Sequence, residues 1–433
     1  MASDRHTSIS LLSRVAATWR TLGEGYRRFN AAAWSLPSLL LKLMLAVYFL
    51  FCIAFLALRF FVLPNIGQYK GEFEQMASRA LGKPVTVARL EASWDGLRPH
   101  LELGEVVVRD KDGRAALNLP GVSATVAWRS IPAFGLRLHQ LEIRQPDLDI
   151  RRDIDGKLYI AGLPIDLSAE TDGQGADWVL LQNEIVIRDG RLRWNDDQRK
   201  TSELSLQNVN LVLQNGWRHH RFQLQATPPE KLAAPVDVRA DFVHPFFAQR
   251  ISDVRQWKGE LYADLDNTDL AAWKTYFDYP FELERGSCSI RAWLTFDHAK
   301  LADFTADLRL SDVFARLRKD LVPLDLLEVK GRISAREEPS DEHEPGTPAF
   351  GMQGHSISLT DFSLKTRDGL TLPETTVSES YTPGKNGAPG TTKIATKQLD
   401  LNVLASFSKY LPLSTEQRQM LADFSPSGQL QDF

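Results

Sequence analysis

The residues that could do chemistry here are few, and each pattern stops short of a site. His219 and His220 are adjacent. Neighbouring side chains on a strand point to opposite faces, so the pair reads as a polar hairpin flank rather than as two ligands of one metal. Asp147, Asp149, Asp153, Asp155 and Gly156 superficially suggest a calcium loop, but the closing Glu and the loop spacing are missing. That run reads as strand, turn and Asp-Gly hairpin. Cys52 and Cys288 are the two cysteines, one in the most apolar stretch and the other in a strand-like run, so no bridge is expected and no compartment is fixed by them. No phosphate-cradling glycine loop and no Gly-x-Ser-x-Gly elbow occurs. The sequence therefore reads as that of a non-enzyme without metal or cofactor, and a membrane-bound hydrolase is the weakest of the readings considered.

The elements that carry these residues are better marked. The 433 residues have a net charge of −4, which argues against a nucleic-acid partner. From Leu39 to Leu63 the chain is nearly all apolar, with charges only at Lys42 and Arg59. That is about the ~20 residues a helix needs to cross the hydrocarbon core, and the two cationic stems can snorkel to its ends. Leu43, Leu45, Val47, Phe49, Phe51, Phe55 and Leu58 are the anchor residues. Arg5, Arg14, Arg20, Arg27, Arg28 and Lys42 precede the span against only Asp4 and Glu24, so the N-terminus is expected in the cytoplasm and the rest outside, which in a Gram-negative cell means the periplasm. A cleaved signal peptide fits poorly, because the apolar run is long, starts late and lacks a small-residue cleavage site. Four segments follow: a basic tail over 1–38, the span over 39–63, a β region over 64–334, and its continuation over 335–433 beyond a polar acidic loop. Within the tail, Ile9 to Phe29 reads either as an interfacial helix or as a loosely ordered segment.

Ile66, Tyr69, Phe73, Met76, Ala77 and Ala80 recur at helical spacing and predict a short amphipathic helix stopped by Gly82 and Pro84. After it the period changes to two. Leu101/Leu103, Val106/Val108, Val122/Ala124/Val126, Leu136/Leu138, Leu141/Ile143, Leu148/Ile150, Ile185/Ile187, Leu204/Leu206, Val209/Leu211/Leu213 and Phe222/Leu224 alternate with polar neighbours, and similar runs continue to Leu310. Such runs are half-buried strands. Asp-Gly at 95–96, 112–113, 155–156, 172–173, 189–190 and 368–369, and Asn-Gly at 215–216 and 386–387, predict hairpin turns and hence an antiparallel meander. Beyond the first helix, few are expected: one over Asp269–Phe277 and another from Ser414, where Gln417 completes a capping box. Leu270–Phe277 and Leu404–Leu411 echo one another, which hints at repeated strand–helix–strand modules. Tryptophans such as Trp217, Trp257 and Trp293 read as core or strand-edge residues. An apolar strand face with so few helices has two outcomes: a second sheet covers it, as in a sandwich, or it stays open to an apolar ligand.

The order of motifs resembles a known family. A basic tail, one span and a helix ending Ala80-Leu81-Gly82-Lys83-Pro84-Val85 lead to Trp94-Asp95-Gly96-Leu97-Arg98-Pro99. Then come Ala127-Trp128-Arg129-Ser130, Leu141-Glu142-Ile143-Arg144-Gln145-Pro146, Asp155-Gly156-Lys157-Leu158, Ile187 through Trp194, and Phe222 through Pro229. This is similar to the amino-terminal part of the YhdP branch of the AsmA-like proteins, relatives of TamB. The resemblance implies a mostly β protein: one transmembrane helix, then an elongated, twisted antiparallel sheet curled into an open hydrophobic groove, with a few short helices. It implies an inner-membrane-anchored periplasmic protein that binds or conducts phospholipid acyl chains toward the outer membrane, with outer-membrane or periplasmic envelope proteins as further partners. Leu101, Leu103, Val122, Val126, Leu138, Ile143, Ile150, Ile187, Leu211 and Leu224 would line the groove. Because YhdP-type chains are much longer, this sequence is expected to be an amino-terminal portion, with Gly428–Phe433 inside a strand. A competing expectation is a membrane-tethered periplasmic scaffold for outer-membrane assembly, with a closed core and no lipid conduction.

Overall fold

The computed structural model describes residues 38–433, apart from 82, 110–114, 134, 161–162, 166–173, 249, 299, 338–353 and 385–388. The chain divides into two units, Met1–Gln68 and Tyr69–Phe433. The helical run Ser38–Gln75 is long and apolar enough to cross a membrane, with a mean hydropathy of 2.6 in its best window. In the first unit, α1 (residues 38–57) passes into a π turn at Leu58–Val62 and a 3₁₀ stretch at Leu63–Tyr69 that kinks at Asn65. Pro64 carries no backbone N–H, and Asn65 Nδ2 instead donates to Phe61 O (2.8 Å). Leu43, Leu45, Val47, Phe49 and Phe51 each expose more than 40% of their surface, and Phe55 and Leu58 less. The tail segment Ile9–Phe29 lies outside the described residues.

The second unit is one large curved sheet with a few short helices. Helix α2 (Lys70–Leu81) is the amphipathic helix that the spacing predicts, and it closes the sheet's first edge. Ser78 Oγ accepts from Val85 N (2.8 Å), Glu74 Oε1 accepts from Val87 N (2.7 Å), and Lys70 Nζ donates to Ala88 O (3.2 Å). Edge groups left bare would invite another strand. The strands β1 (Val85–Asp95), β2 (Arg98–Arg109), β3 (Ala115–Val126), β4 (Leu138–Arg144) and β5 (Asp147–Arg152) come first, then the short pair β6 (Leu158–Ile160) and β7 (Leu163–Ile165). After α3 (Gln174–Leu180) come β8 (Glu184–Asp196), β9 (Leu204–Asn215), β10 (His219–Thr227), β11 (Val236–Val243) and β12 (Lys258–Asp269). Helix α4 (Leu270–Trp273) leads to β13 (Glu282–Asp297), β14 (Lys300–Arg316), β15 (Leu324–Glu337), β16 (His355–Thr366), β17 (Thr371–Thr382) and β18 (Thr391–Thr396). The chain ends through β19 (Gln398–Asp400), α5 (Leu401–Phe407), α6 (Thr415–Phe424) and β20 (Gln429–Gln431), where β19 and β20 form a separate two-stranded pair.

The sheet is mixed rather than wholly antiparallel. β4 and β5 form one bent strand that runs parallel to β8, with Leu141 opposite Ile185 and Asp147 opposite Arg191. The chain leaves β5 through β6, β7 and α3, and that crossover returns it in the same direction. From β8 to β18 every neighbour is antiparallel and consecutive. β15 and β16 pair directly across the acidic loop, Glu337 opposite His355, so that loop joins two strands of one hairpin.

Asp-Gly or Asn-Gly forms the expected turns at 95–96, 155–156, 215–216 and 368–369, with Gly96, Gly156 and Gly369 at positive φ. The dipeptides at 112–113, 172–173 and 386–387 lie outside the described residues. Asp189-Gly190 is different: it lies inside β8 and makes a bulge, not a turn. Asp189 has φ 50°, and the same device recurs at Glu105, Gln145, Asn208, Asn267, Asp312 and Asp361, all with φ between 46° and 52°. Each precedes the next inward residue by one position, three beyond the last: Leu103 to Val106, Leu206 to Val209, Leu310 to Val313, Leu359 to Phe362. One extra residue at positive φ keeps the apolar side chains on one face while it bends the strand and tightens its twist. Repeated from strand to strand, the bulges curve the sheet.

The helices follow their caps. Asp269 Oδ1 accepts from Ala272 N (2.9 Å) at the start of α4, which ends at Trp273, four residues short of the expected Phe277. Asp400 caps α5 in the same way, and Ser414 and Gln417 form the expected capping box on α6. The internal echo is therefore best registered on the caps, Asp269 with Asp400, which also aligns Tyr279 with Tyr410. Both tyrosines join one apolar cluster with Leu283, Val313, Leu326, Val329 and Leu364.

Candidate functional site

Cross-strand register sorts the side chains of the sheet into rows. One row reads Leu90, Leu103, Val122, Ile143, Ile187, Leu211, Leu224, Val238, Ala263, Ala292, Ala306, Ile333, Leu359, Val377, and ends at Thr396. The next row on the same face runs from Ala92, Leu101, Ala124 and Leu141 through Ile185, Leu213, Phe222, Ala240, Leu261, Leu294, Phe304 and Ala335 to Ile357, before Glu379 breaks it. Fourteen strands thus contribute an aliphatic residue to the first row without interruption. At an interstrand spacing of ~4.8 Å the row has a contour of roughly 60 Å, about four times the ~15 Å depth of one leaflet of a bilayer core.

This face is not sealed over its middle. Ile187, Leu211, Leu224, Val238, Leu261 and Leu294 are half-buried, not buried. Among the described residues the other sheet is the pair β19–β20, so no second sheet packs on this face as in a sandwich. The opposite face is polar. Its central row reads Glu91, Glu102, Ser123, Glu142, Val186, Val212, Gln223, Arg239, Tyr262, Trp293, Thr305, Ser334, Ser358 and Ser378. Cross-strand ion pairs flank it, such as Arg221–Asp241 (3.1 Å), Arg332–Asp307 (2.6 Å) and Arg336–Asp303 (2.7 Å). A cleft of about 620 Å³ opens among Asp237, Asp264, Asp266, Arg291 and Asp307, and one of about 580 Å³ mixes Arg221, Arg239 and Asp241 with Val212, Tyr262 and Trp293.

The two ends of the open stretch differ. Toward one strand end stands an aromatic wall: Trp257 stacks flat on His220 (4.8 Å, 8°), His244 lies 5.4 Å beyond, and Phe242 meets both Trp257 and Phe296. His220 points inward and is 2% exposed, whereas His219 points outward to Asp241 (3.7 Å). Burial, with His244 and His219 nearby, pushes the His220 imidazole down to about 4; Nδ1 pairs with Asn215 Oδ1 (2.7 Å). Trp217, in the adjoining β9–β10 turn, is 80% exposed and edges against Phe246, so it is no core residue. Toward β14–β17, α5 crosses the apolar face. A cavity of about 400 Å³ remains between them, lined entirely by apolar residues, among them Leu308, Ile333, Leu359, Val403, Leu404 and Phe407.

Of the residues expected to line a groove, Leu103, Val122, Ile143, Ile187, Leu211 and Leu224 fall in one row and Leu101 in the next. Val126 pairs with Leu138 at a bulge beside them. Leu138 is only 4% exposed, its N–H held by Gln182 Oε1 (2.7 Å), so it packs inside. Ile150 lies past the Gln145 bulge, paired with Trp194 and Ile160. The Asp147–Gly156 run is a strand and turn: Arg193 binds Asp147 (3.0 Å), Asn195 binds Asp149 (2.9 Å), and Asp153 Oδ1 accepts from Asp155 N and Lys157 N. Among the described residues no group of three His, Cys, Asp or Glu is placed to hold a metal ion. Sequence reading missed the far half of both rows, Val238 to Val377 and Ala240 to Ile357, although their alternation was visible; register across strands cannot be read from one strand.

A family model described as YhdP protein matches residues 34–433. The chain belongs to the YhdP family. The match takes in the apolar helical run and every strand of the sheet, and it bears out the resemblance carried by the motifs from Ala80 to Pro229. No curated protein matches the chain. Membership of the YhdP family suggests a function in the cell envelope, and the long apolar helix fits a single-pass membrane anchor.

Proposed function

We propose that this chain binds the acyl chains of phospholipids along the apolar face of its sheet and conducts them through the periplasm toward the outer membrane. Its N-terminal helix holds it in the inner membrane with the basic tail in the cytoplasm. The observation that carries this reading is the unbroken aliphatic row from Leu90 to Val377, half-buried in its middle and, among the described residues, without a second sheet over it. An exposed apolar surface of this extent is rare without a partner, and each methylene laid on it contributes about 0.8 kcal/mol. Such a track moves lipid by binding alone, so the protein is read as a carrier and not an enzyme. Its other partners would be envelope proteins at the outer membrane, and nucleic acid has no place in the reading.

Native mass spectrometry of the detergent-extracted chain tests it. Phospholipid is expected to co-purify, and Leu224→Asp is expected to abolish that while the circular-dichroism spectrum of the sheet stays unchanged. A lipid-free wild-type protein, or a Leu224→Asp variant that unfolds, would favour a closed scaffold instead.

A further inference from the structure

We infer that the cavity under α5 is a pocket enclosing one hydrocarbon tail, and that α5 is the lid that closes it. The inference rests on the lipid-binding reading above and adds to it a discrete subsite with a movable cover. Ile333 and Leu359 form part of the pocket floor and also belong to the long aliphatic row, so the pocket is a roofed length of the same track. Val403, Leu404 and Phe407 form the roof. The volume, about 400 Å³, lies low in the ~300–1,000 Å³ range of small-molecule sites, which suits one chain better than a whole two-tailed lipid. A wholly apolar space of this kind is not filled by water, so an aliphatic chain is the fitting occupant.

The roof depends on its fastenings. A helix as short as α5 does not hold itself together in water, and Leu404 on it is 41% exposed. At its start Asp400 Oδ1 accepts from Asn402 N (2.9 Å) and Val403 N (3.3 Å). Just past its end, Tyr410 Oη donates to Asp368 Oδ2 (2.5 Å), and Lys409 Nζ lies 3.5 Å from the same carboxylate. Asp368 sits in the β16–β17 turn and also accepts from Thr366. The Thr366 and Tyr410 hydrogen bonds, with Lys409, hold the Asp368 carboxyl down to about 2, so this latch stays charged across physiological pH. The start of α5 is tied to the sheet independently, Lys397 N donating to Thr376 O (3.0 Å) and Leu401 N to Gly428 O (2.9 Å), so that end is the hinge and the Asp368 latch holds the end that lifts.

The test uses the full chain in detergent and palmitic acid carrying a diazirine in its tail as the probe. Photolysis and peptide mapping are expected to place adducts on two groups of peptides, those with Ile187, Leu211 or Leu224, and those from α5 with β16. Val403→Trp, which fills the pocket, is expected to remove only the second group. Adducts on the open rows without any at α5 would overturn the tail pocket and leave the lipid reading standing; no adducts anywhere would sink both. Asp368→Asn is expected to speed probe exchange from the α5 site about ten-fold or more, the equivalent of one charge-assisted hydrogen bond. An unchanged exchange rate would overturn the lid.

Discussion

The apolar face is one surface with two fates. Between β8 and β13 residues such as Ile187, Leu211, Leu224 and Val238 are half-buried and, among the described residues, no second sheet lies over them; between β14 and β17 the same face, in the neighbouring rows through Leu326, Val329 and Leu364, packs with Phe407 and Tyr410 into a core in which those three are 4–6% exposed. Chemistry does not separate the two stretches, since both are aliphatic. Cover does. The covered stretch resembles the interior of any globular domain and fixes the fold, whereas the open stretch contributes contacts only when something apolar lies on it.

Placing a carboxylate in each stretch gives the largest expected effect. Val329→Asp would strand an unpaired charge in the covered core and is expected to cost about 3–5 kcal/mol. Leu224→Asp, on the open row, is expected to cost about 1 kcal/mol or less, because its carboxylate keeps its water. Urea titration of the two variants measures both. Equal losses would erase the distinction between the stretches.

The aromatic wall at the rim of the open stretch gives the next effect. His220 titrates near 4 in the folded protein against 6.5 for the free side chain, because burial disfavours the imidazolium. The unfolded chain therefore takes up the proton first as pH falls. Stability is full above about pH 6.5 and declines down to about pH 4, by up to about 3 kcal/mol in all. His220→Phe keeps a flat ring against Trp257 and is expected to flatten that slope. A slope that persists in this variant would assign it to other groups and leave the wall out of it.

How much of this was legible from sequence varies element by element. The span, α2, the capping box at Ser414 and the strand alternation follow from local spacing, and local spacing is what a sequence displays. The parallel junction of β4 and β5 with β8 was not legible, because it depends on where a crossover returns the chain. Asp189-Gly190 was misread for a related reason: the dipeptide supplies positive φ equally to a turn and to a bulge, and only pairing decides between them. A signal was nonetheless present, an apolar step of three with Asp or Asn just before the second residue, as in Leu206 to Val209 across Asn208 and Leu359 to Phe362 across Asp361. Whether a row ends open or covered was not legible at all, since α5 reaches Leu308 from far along the chain.

The bulges sharpen the comparison because they occur in both stretches. Asn208 in the open stretch and Asp361 in the covered one have φ of 48° and 49°. A β-branched residue resists that conformation, so Asn208→Val and Asp361→Val are each expected to cost about 1–2 kcal/mol, and the glycine variants close to nothing. Matching thermal shifts in the two stretches would show that strain is local and cover is the difference. A cost confined to Asp361 would tie curvature to the core instead.

The smallest effect is expected on the polar face, where the two stretches ought to be alike. Arg221–Asp241 (3.1 Å) backs the open stretch and Arg336–Asp303 (2.7 Å) backs the covered one, and both arginine side chains are about 70% exposed. Exposed pairs of this kind contribute roughly 0.2–1 kcal/mol, less as salt is added. Double-mutant cycles on the two pairs are therefore expected to give coupling energies that agree within their error and fall together between low and high ionic strength. Agreement follows if the sheet transmits nothing of the cover through its thickness: the backbone ladder is the same under both pairs, and water reaches both. A clearly stronger coupling at Arg336–Asp303 would mean that packing under α5 stiffens the strands enough to hold the outer side chains in register. The open and covered stretches would then differ in rigidity as well as in solvent access.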